Sequence, residues 1–384
     1  MLYDRCVTVM PIYLDAAATT PVMPEVAAYA MHLMVEEFGN AGSRTHLFGS
    51  NAKAVVENAR TQIADPVGAK PSDVIFTSGA TESNNIAILG LEEFALTSGR
   101  RHIITTPIEH KAVLEPIEKL RSKGFEIDFL EVGKDGRVVT ESLSRQMRRD
   151  TLMVSVMAAN NETGVIQPID ELSQEIPPGV IFHVDAAQAY AKVNDLISNP
   201  RIDTMSISGH KFGAPKGIGA LVVRGLSEKR IPLSPISFGG GQEKGLRPGT
   251  VPVHLIGSVG LASQIWRDTI GERSSKLLLI RTNLQKAFAP LKPIYIGDQR
   301  NCLPNILNLS FRSVDSEALI LVLKDLISIS NGSACTSHRY EPSHVLSAMD
   351  LDQDVKSGAV RISWTPETIE PNWDEIVSRL KTFF

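Results

Sequence analysis

Between Val74 and Arg224 the chain repeats one pattern: a short apolar, β-prone run, a turn, then a helical stretch. Val74–Thr77, Arg101–Thr106, Glu126–Val132, Thr151–Met157, Val180–Asp185, Thr204–Ser208 and Gly219–Arg224 read as strands. Lys111–Gly124, Thr140–Arg148 and Asp170–Glu175 read as helices between them. Such alternation predicts an α/β fold whose mostly parallel sheet is covered on both faces. Ligands of such sheets gather at the carboxyl ends of the strands. Thr81, His110, Asn161, Asp185 and Lys211 all stand at or just past predicted strand ends.

The flanks are less regular. Met10–Asp15 reads as a short strand, Pro24 opens a helix to about Glu37, and a second helix covers Ser50–Ala64 before Pro66 stops it. Past a glycine-rich loop, Phe238–Thr250, a long helical stretch over Pro252–Leu291 leads into a second domain. Its other elements are expected at Asn305–Phe311, Ser316–Leu326, Ile327–Ile329, Ser343–Met349, Val360–Ser363 and Trp373–Phe383. A length of 384 residues fits two domains. We divide it into a large domain, 22–262, and a smaller one made of 1–21 with 263–384.

Composition excludes several classes of function. A net charge of -4 gives no footprint for nucleic acid or an anionic membrane. No apolar run reaches membrane-spanning length, and the N-terminus lacks the layout of a signal peptide, so cytoplasm is the expected compartment. Three cysteines, Cys6, Cys302 and Cys335, are too few and too scattered for a disulfide framework or a zinc site.

The stretch Ser206–Gly219 carries the chemistry. An apolar run ends in Ser208, His210 and Lys211, and a glycine-broken loop follows. Burial at a strand end depresses a lysine's pKa, and the neutral amine is a nucleophile for carbonyl compounds. Ser208 and His210 add donors able to hold a phosphate. This is the chemistry of a pyridoxal-phosphate lysine, although an isolated His-Lys pair in a Gly/Pro turn is more often just exposed. The G-x-x-x-x-G-K-[ST] spacing of a nucleotide loop is absent.

Four further places fit the same chemistry, each with a plainer alternative. Gly79 opens a turn into a helix whose first amides, those of Ala80 and Thr81, can bind a phosphate or simply be capped by Ser or Thr. Asp185 can hold a pyridine nitrogen protonated, or cap a helix; Gln188 can donate to a ring phenolate. His110 can lie over a planar ring, though a lone histidine is more often structural. Asn161 can reach a ring substituent or substrate, or serve a turn.

Taken together, these residues resemble a pyridoxal 5'-phosphate cysteine desulfurase of the class V aminotransferase family. The matching stretches are Tyr13–Pro21, Thr77–Ser83, Glu109–Val113, Asn160–Glu162, His183–Gln188, Ser208–Lys211, Leu246–Thr250 and Gly332–Ser337, in the family's order. One such motif is weak; eight in order are specific, and they cover nearly the whole chain. The resemblance implies the fold type I of pyridoxal-phosphate transferases, with a smaller α+β domain beside the large one, and a homodimer. It implies that Lys211 carries the cofactor and shuttles the α-proton, His110 stacks on the ring, and Asp185 and Gln188 hold ring nitrogen and phenolate oxygen. Thr81, Ser208 and His210 would hold the phosphate with Thr250 of a second subunit. Asn161 and Arg361 would fix L-cysteine, the arginine through its carboxylate. Cys335, in a small and polar setting, would be the thiolate that takes the sulfur as a persulfide, releasing alanine. The sulfur would pass to an acceptor protein serving iron–sulfur clusters, tRNA thiolation or DNA phosphorothioate modification.

Two departures from the family pattern stand out. After Arg361 the family usually has Ser-Leu-Gly-Arg-Phe-Thr, whereas this chain has Ser363-Trp-Thr-Pro-Glu-Thr368. The chain also ends at Phe384, without the tail that housekeeping members use on a cluster scaffold. Both suggest a specialised desulfurase, with the DNA phosphorothioate branch as one candidate. An aminotransferase or selenocysteine lyase of the same fold is the rival reading, against which Cys335 argues. An inactive binding subunit is another, against which Lys211, Asp185, His110 and Cys335 argue together.

Overall fold

The computed structural model describes residues 10–228, 230–331 and 343–383. Its strands are β1 (Ile12–Tyr13), β2 (Val74–Thr77), β3 (His102–Thr105), β4 (Glu126–Phe129), β5 (Thr151–Met157) and β6 (Ile181–Asp185). They continue with β7 (Thr204–Ser208), β8 (Gly219–Val223), β9 (Ile294–Ile296), β10 (Ile306–Ser310), β11 (Ile327–Ser328) and β12 (Val360–Ser363). The central sheet has the order β2-β8-β7-β6-β5-β3-β4. Neighbours from β7 through β4 are parallel, and β8 alone runs the other way. Every residue of β5, β6 and β7 is buried, as both faces of a helix-covered sheet require.

Topology places the cleft. From β3 the chain steps outward to β4, then returns to the other side of β3 and builds β5, β6 and β7 away from it. The switch therefore falls between β3 and β5, where crossovers diverge and leave a crevice at the carboxyl ends. His110 follows β3, and Asn161 follows β5.

A three-stranded antiparallel sheet, β12-β10-β9, stands beside the large one, and β1 pairs in parallel with β11. Helix Val253–Phe288 runs between them, with a non-helical Thr269 (φ -123°) at its bend. The β1–β11 pairing turns the following residues into a strap. Ala16 N donates to Ser363 O at 3.1 Å and Thr20 N to His210 O at 2.9 Å. Residues near the N-terminus thus join β12 to the Lys211 turn.

Several boundaries differ from expectation. The helix expected from Ser50 starts at Leu47, because His46 Nδ1 accepts from Gly49 N and caps it. β9 was not expected: its three residues are too few to show alternation. Met1–Val9, the Gly332–Ser337 motif, Cys6 and Cys335 lie outside the described residues. Among the described residues, no helix is long and apolar enough to cross a membrane.

Candidate active site

Lys211 sits in the 3-10 turn Gly209–Lys211 that ends β7. Its Nζ donates to the carbonyls of Ala17 (2.6 Å) and Ala18 (2.9 Å) in the strap. Burial, then the nearby Arg361 guanidinium, pulls its pKa down to about 8, against the opposing pull of Asp15 and Asp185. At pH 7 roughly a tenth of the amine is therefore neutral, far more than for an ordinary lysine, and that form is the nucleophile. Gln188 Nε2 donates to the same Ala17 carbonyl at 2.9 Å.

Asp185, the last residue of β6, is buried and held from two sides. Asn84 Nδ2 donates to its Oδ2 at 2.8 Å, and the Ala187 amide to its Oδ1 at 2.9 Å. With its amide spent on Asp185, Asn84 offers Oδ1 to His183 Nε2 at 3.0 Å. His183 must donate from Nε2 and accept from Thr204 Oγ1 at Nδ1. Burial lowers its pKa to about 4, so it stays neutral in this chain.

His110 caps the helix Lys111–Arg121 with its own side chain: Nδ1 accepts from Ala112 N at 3.1 Å. That bond commits Nδ1 as an acceptor and leaves Nε2 for the cleft. Desolvation, then Lys211 and His344, hold the ring below the usual imidazole pKa despite Asp185. Beneath it, Glu109 Oε1 accepts from Met157 N (2.7 Å) and Thr106 Oγ1 (2.9 Å). Its fully buried carboxyl is pushed up to about 8, chiefly by desolvation.

Arg361, on β12, is 1% exposed. Its Nη2 pairs with Asp15 Oδ1 at 2.6 Å and its Nη1 donates to Asn161 O at 2.9 Å, while Nε is buried with no partner among the described residues. The structure thus brings Arg361, Asn161, Asp15 and Lys211 together. Both flanks of the segment carrying Cys335 are tied to the same place. Arg361 N donates to Ser330 O, and beyond the segment Ser343 Oγ donates to Glu162 Oε2 and His344 Nε2 to Glu109 O.

The phosphate side is built on two glycines. Gly79 has φ +154°, a conformation that side-chain-bearing residues rarely adopt, and it opens the helix Ala80–Leu89. A Cβ on Gly219 would stand 2.6 Å from Gly79 Cα, so β8 must be bare there for the turn to sit against it. The first-turn amides of Ala80 and Thr81 have no acceptor within their helix. Ser208 Oγ faces the turn, 3.5 Å from where a Gly79 Cβ would lie. His210, its pKa lowered to about 4 by burial and by Lys211, contacts Thr19 Oγ1 at 3.2 Å and acts as a neutral hydrogen-bonding group. Thr250 is exposed, outside this cluster of contacts. A buried amine with no carboxylate bonded to it among the described residues, a strand-end carboxylate and this glycine cradle fit pyridoxal phosphate. Lys211, Asp185 and the Gly79 turn would hold its aldehyde, ring nitrogen and phosphate.

Sequence reasoning missed Asp15, Asn84 and Glu109. Asn84 offered a faint signal as a polar residue on the buried face of its helix; Asp15 and Glu109 lay inside the matching stretches Tyr13–Pro21 and Glu109–Val113 but were given no role there. Burial raises the Cys302 thiol pKa, and its Sγ is engaged by Arg281 and Gln299.

The Aminotransferase class-V family model matches residues 12–372. "Cysteine desulfurase IscS" of Serratia proteamaculans (strain 568) is 42% identical over 376 residues, covering 97% of this chain and 92% of that protein. The crystal structure of DndA from Streptomyces lividans superposes with a TM-score of 0.80 at 51% identity, covering 94% of this chain and all of that one. A structure titled "SspA in complex with cysteine" gives 0.81 at 33% identity, covering 93% of this chain and 100% of the other.

Proposed function

The chain belongs to the class-V aminotransferase family, and from that premise we propose a pyridoxal-phosphate-dependent cysteine desulfurase in which Lys211 holds the cofactor and Cys335 receives the sulfur. The observation that carries this is Lys211: a buried amine with pKa near 8, at a strand end and within the electrostatic reach of Asp185.

Bound pyridoxal phosphate supplies an electron sink beside the substrate's α-carbon. Asp185 would keep the ring nitrogen protonated, with Asn84 fixing its carboxylate. Gln188 would donate to the phenolate oxygen, and Ala80, Thr81, Ser208 and His210 would hold the phosphate. Arg361, aligned by Asp15, would take the cysteine carboxylate together with Asn161. Lys211 would remove and return the α-proton, and His110 would move protons through Nε2. The Cys335 thiolate would form an S–S bond to the substrate sulfur as the Cβ–S bond breaks. The electron pair of that bond would stay with the carbon skeleton, which is protonated at Cβ and leaves as alanine while the persulfide remains on Cys335.

The working form is a homodimer, with Thr250 reaching the partner's phosphate. Exposed Phe38, Leu47, Phe48 and Phe238 supply apolar surface that a second copy would cover. The division into 22–262 and 1–21 with 263–384, and a cytoplasmic setting, belong to the same reading. The sulfur goes to an acceptor protein, and the 51% identity to DndA supports a specialised one. The test is borohydride reduction of the holoenzyme followed by peptide mapping. The cofactor should be found fixed to the peptide containing Lys211, and attachment elsewhere or nowhere overturns the assignment.

A further inference from the structure

A cavity of about 260 Å³ lies beside the catalytic lysine, bounded among others by Met23, Phe212, Trp266, Trp364, Asn305 and Lys192. Lys211 forms part of its wall, but His110, Asp185 and Asn161 do not. It is therefore distinct from the cleft described above. Its wall includes Trp364–Glu367, the stretch in which this chain departs from the usual family sequence.

The walls are mostly apolar. Trp266 and Trp364 spend their indole N–H groups on the carbonyls of Phe212 and Leu277, so they offer only carbon to the space. The Arg273 guanidinium stacks over Trp266 at 4.9 Å and pairs with Glu367. Among the polar residues of the wall are Asn305, Arg273 and Glu367, the last two paired with each other, together with Lys211 and Lys192. Lys192 is 9% exposed, and its Nζ donates to Gln188 O (3.0 Å) and Lys211 O (3.1 Å). An ammonium carries three donors, which leaves one, and no carboxylate pairs with it among the described residues. Burial, then Lys211, lowers the Lys192 pKa to about 7, so an anion beside it would favour the charged form. Ala191 before it adopts φ +70°, a left-handed conformation that is unfavourable for a non-glycine residue. The backbone thus carries strain beside the residue that places this cation on the cavity.

We propose that this cavity binds a small amphipathic carboxylate, its flat hydrocarbon body against the apolar part of the wall and its carboxylate on Lys192. An apolar cavity of about 150 Å³ holds a benzene ring, so this space accommodates a bicyclic ring with an acid group. The ligand's charge would reinforce the ammonium that grips the Lys211 carbonyl, so occupancy is transmitted to the turn carrying the catalytic lysine.

The experiment is calorimetric titration of the holoenzyme with indole-3-acetate and with its neutral twin, indole-3-acetamide. The acid should bind one to one and at least tenfold more tightly than the amide. Lys192→Met should reduce the acid to the affinity of the amide. Val22→Trp, at a residue 36% exposed on the rim, should abolish binding of both and keeps the test valid if the lysine variant does not fold. No binding at millimolar acid, equal affinity for acid and amide, or unchanged binding in Val22→Trp overturns the proposal. No turnover is measured, so a negative result leaves the desulfurase reading untouched.

Discussion

Lys211 Nζ lies 2.6 Å from the carbonyl of Ala17, 194 residues earlier in the chain. The contact makes the strap after β1 part of the site and leaves the amine without a bonded carboxylate among the described residues. Burial depresses its pKa, so the site holds the lysine at a cost to stability. Lys211→Met should fold at least as stably as the wild type in the cofactor-free form, measured by thermal unfolding. It should lose the cofactor colour and at least about a thousandfold in turnover. Marked destabilisation would mean the lysine is structural.

The Asp15–Arg361 pair predicts a different split. Arg361 is buried and Asp15 is its only ionic partner among the described residues. Asp15→Asn should cost roughly 2 kcal/mol of stability, since one charge of a partly buried pair is left alone. Arg361→Lys should raise the KM for cysteine about tenfold or more, because the planar fork is lost. An unchanged KM would remove Arg361 from substrate binding.

Asn84 is predicted to act through Asp185. Asn84→Ala removes one of the carboxylate's two fixed donors and leaves His183 Nε2 unpaired. Pyridoxal-phosphate affinity, measured by equilibrium dialysis, should fall about tenfold, consistent with one charge-assisted hydrogen bond. Unaltered affinity would make the network incidental.

Glu109 yields a pH test. Its folded pKa, about 8, lies above the ordinary carboxylate value, so between those limits the native state binds more protons than the unfolded one. Its contribution to stability is full below the ordinary value and is lost as pH rises through about 8. Glu109→Gln removes this term. The melting temperature of the variant relative to wild type should therefore climb from pH 5 to pH 8. A difference independent of pH would show that the carboxyl is ionised throughout.

Local sequence made the central sheet and the Lys211 turn legible. The strand Thr204–Ser208 is a short run, fully buried, that alternates small polar residues with Met205 and Ile207 and ends at a glycine. The partners of those residues were not legible. Asp15 and Arg361 stand 346 positions apart, and nothing in either neighbourhood names the other. His110 was read as a ring-stacking residue, but its capping of the following helix, which fixes the tautomer, depends on backbone geometry. Glu109 is marked only by complete burial, which a single charged letter in a polar loop does not announce.

The most direct measurement compares wild type with Cys335→Ala for alanine and sulfide released from L-cysteine under reductant, with the cofactor absorbance recorded alongside. Equal amounts of both products from the wild type, lost in the variant while the colour persists, are the predicted result. A variant that still releases both at the wild-type rate would contradict the account.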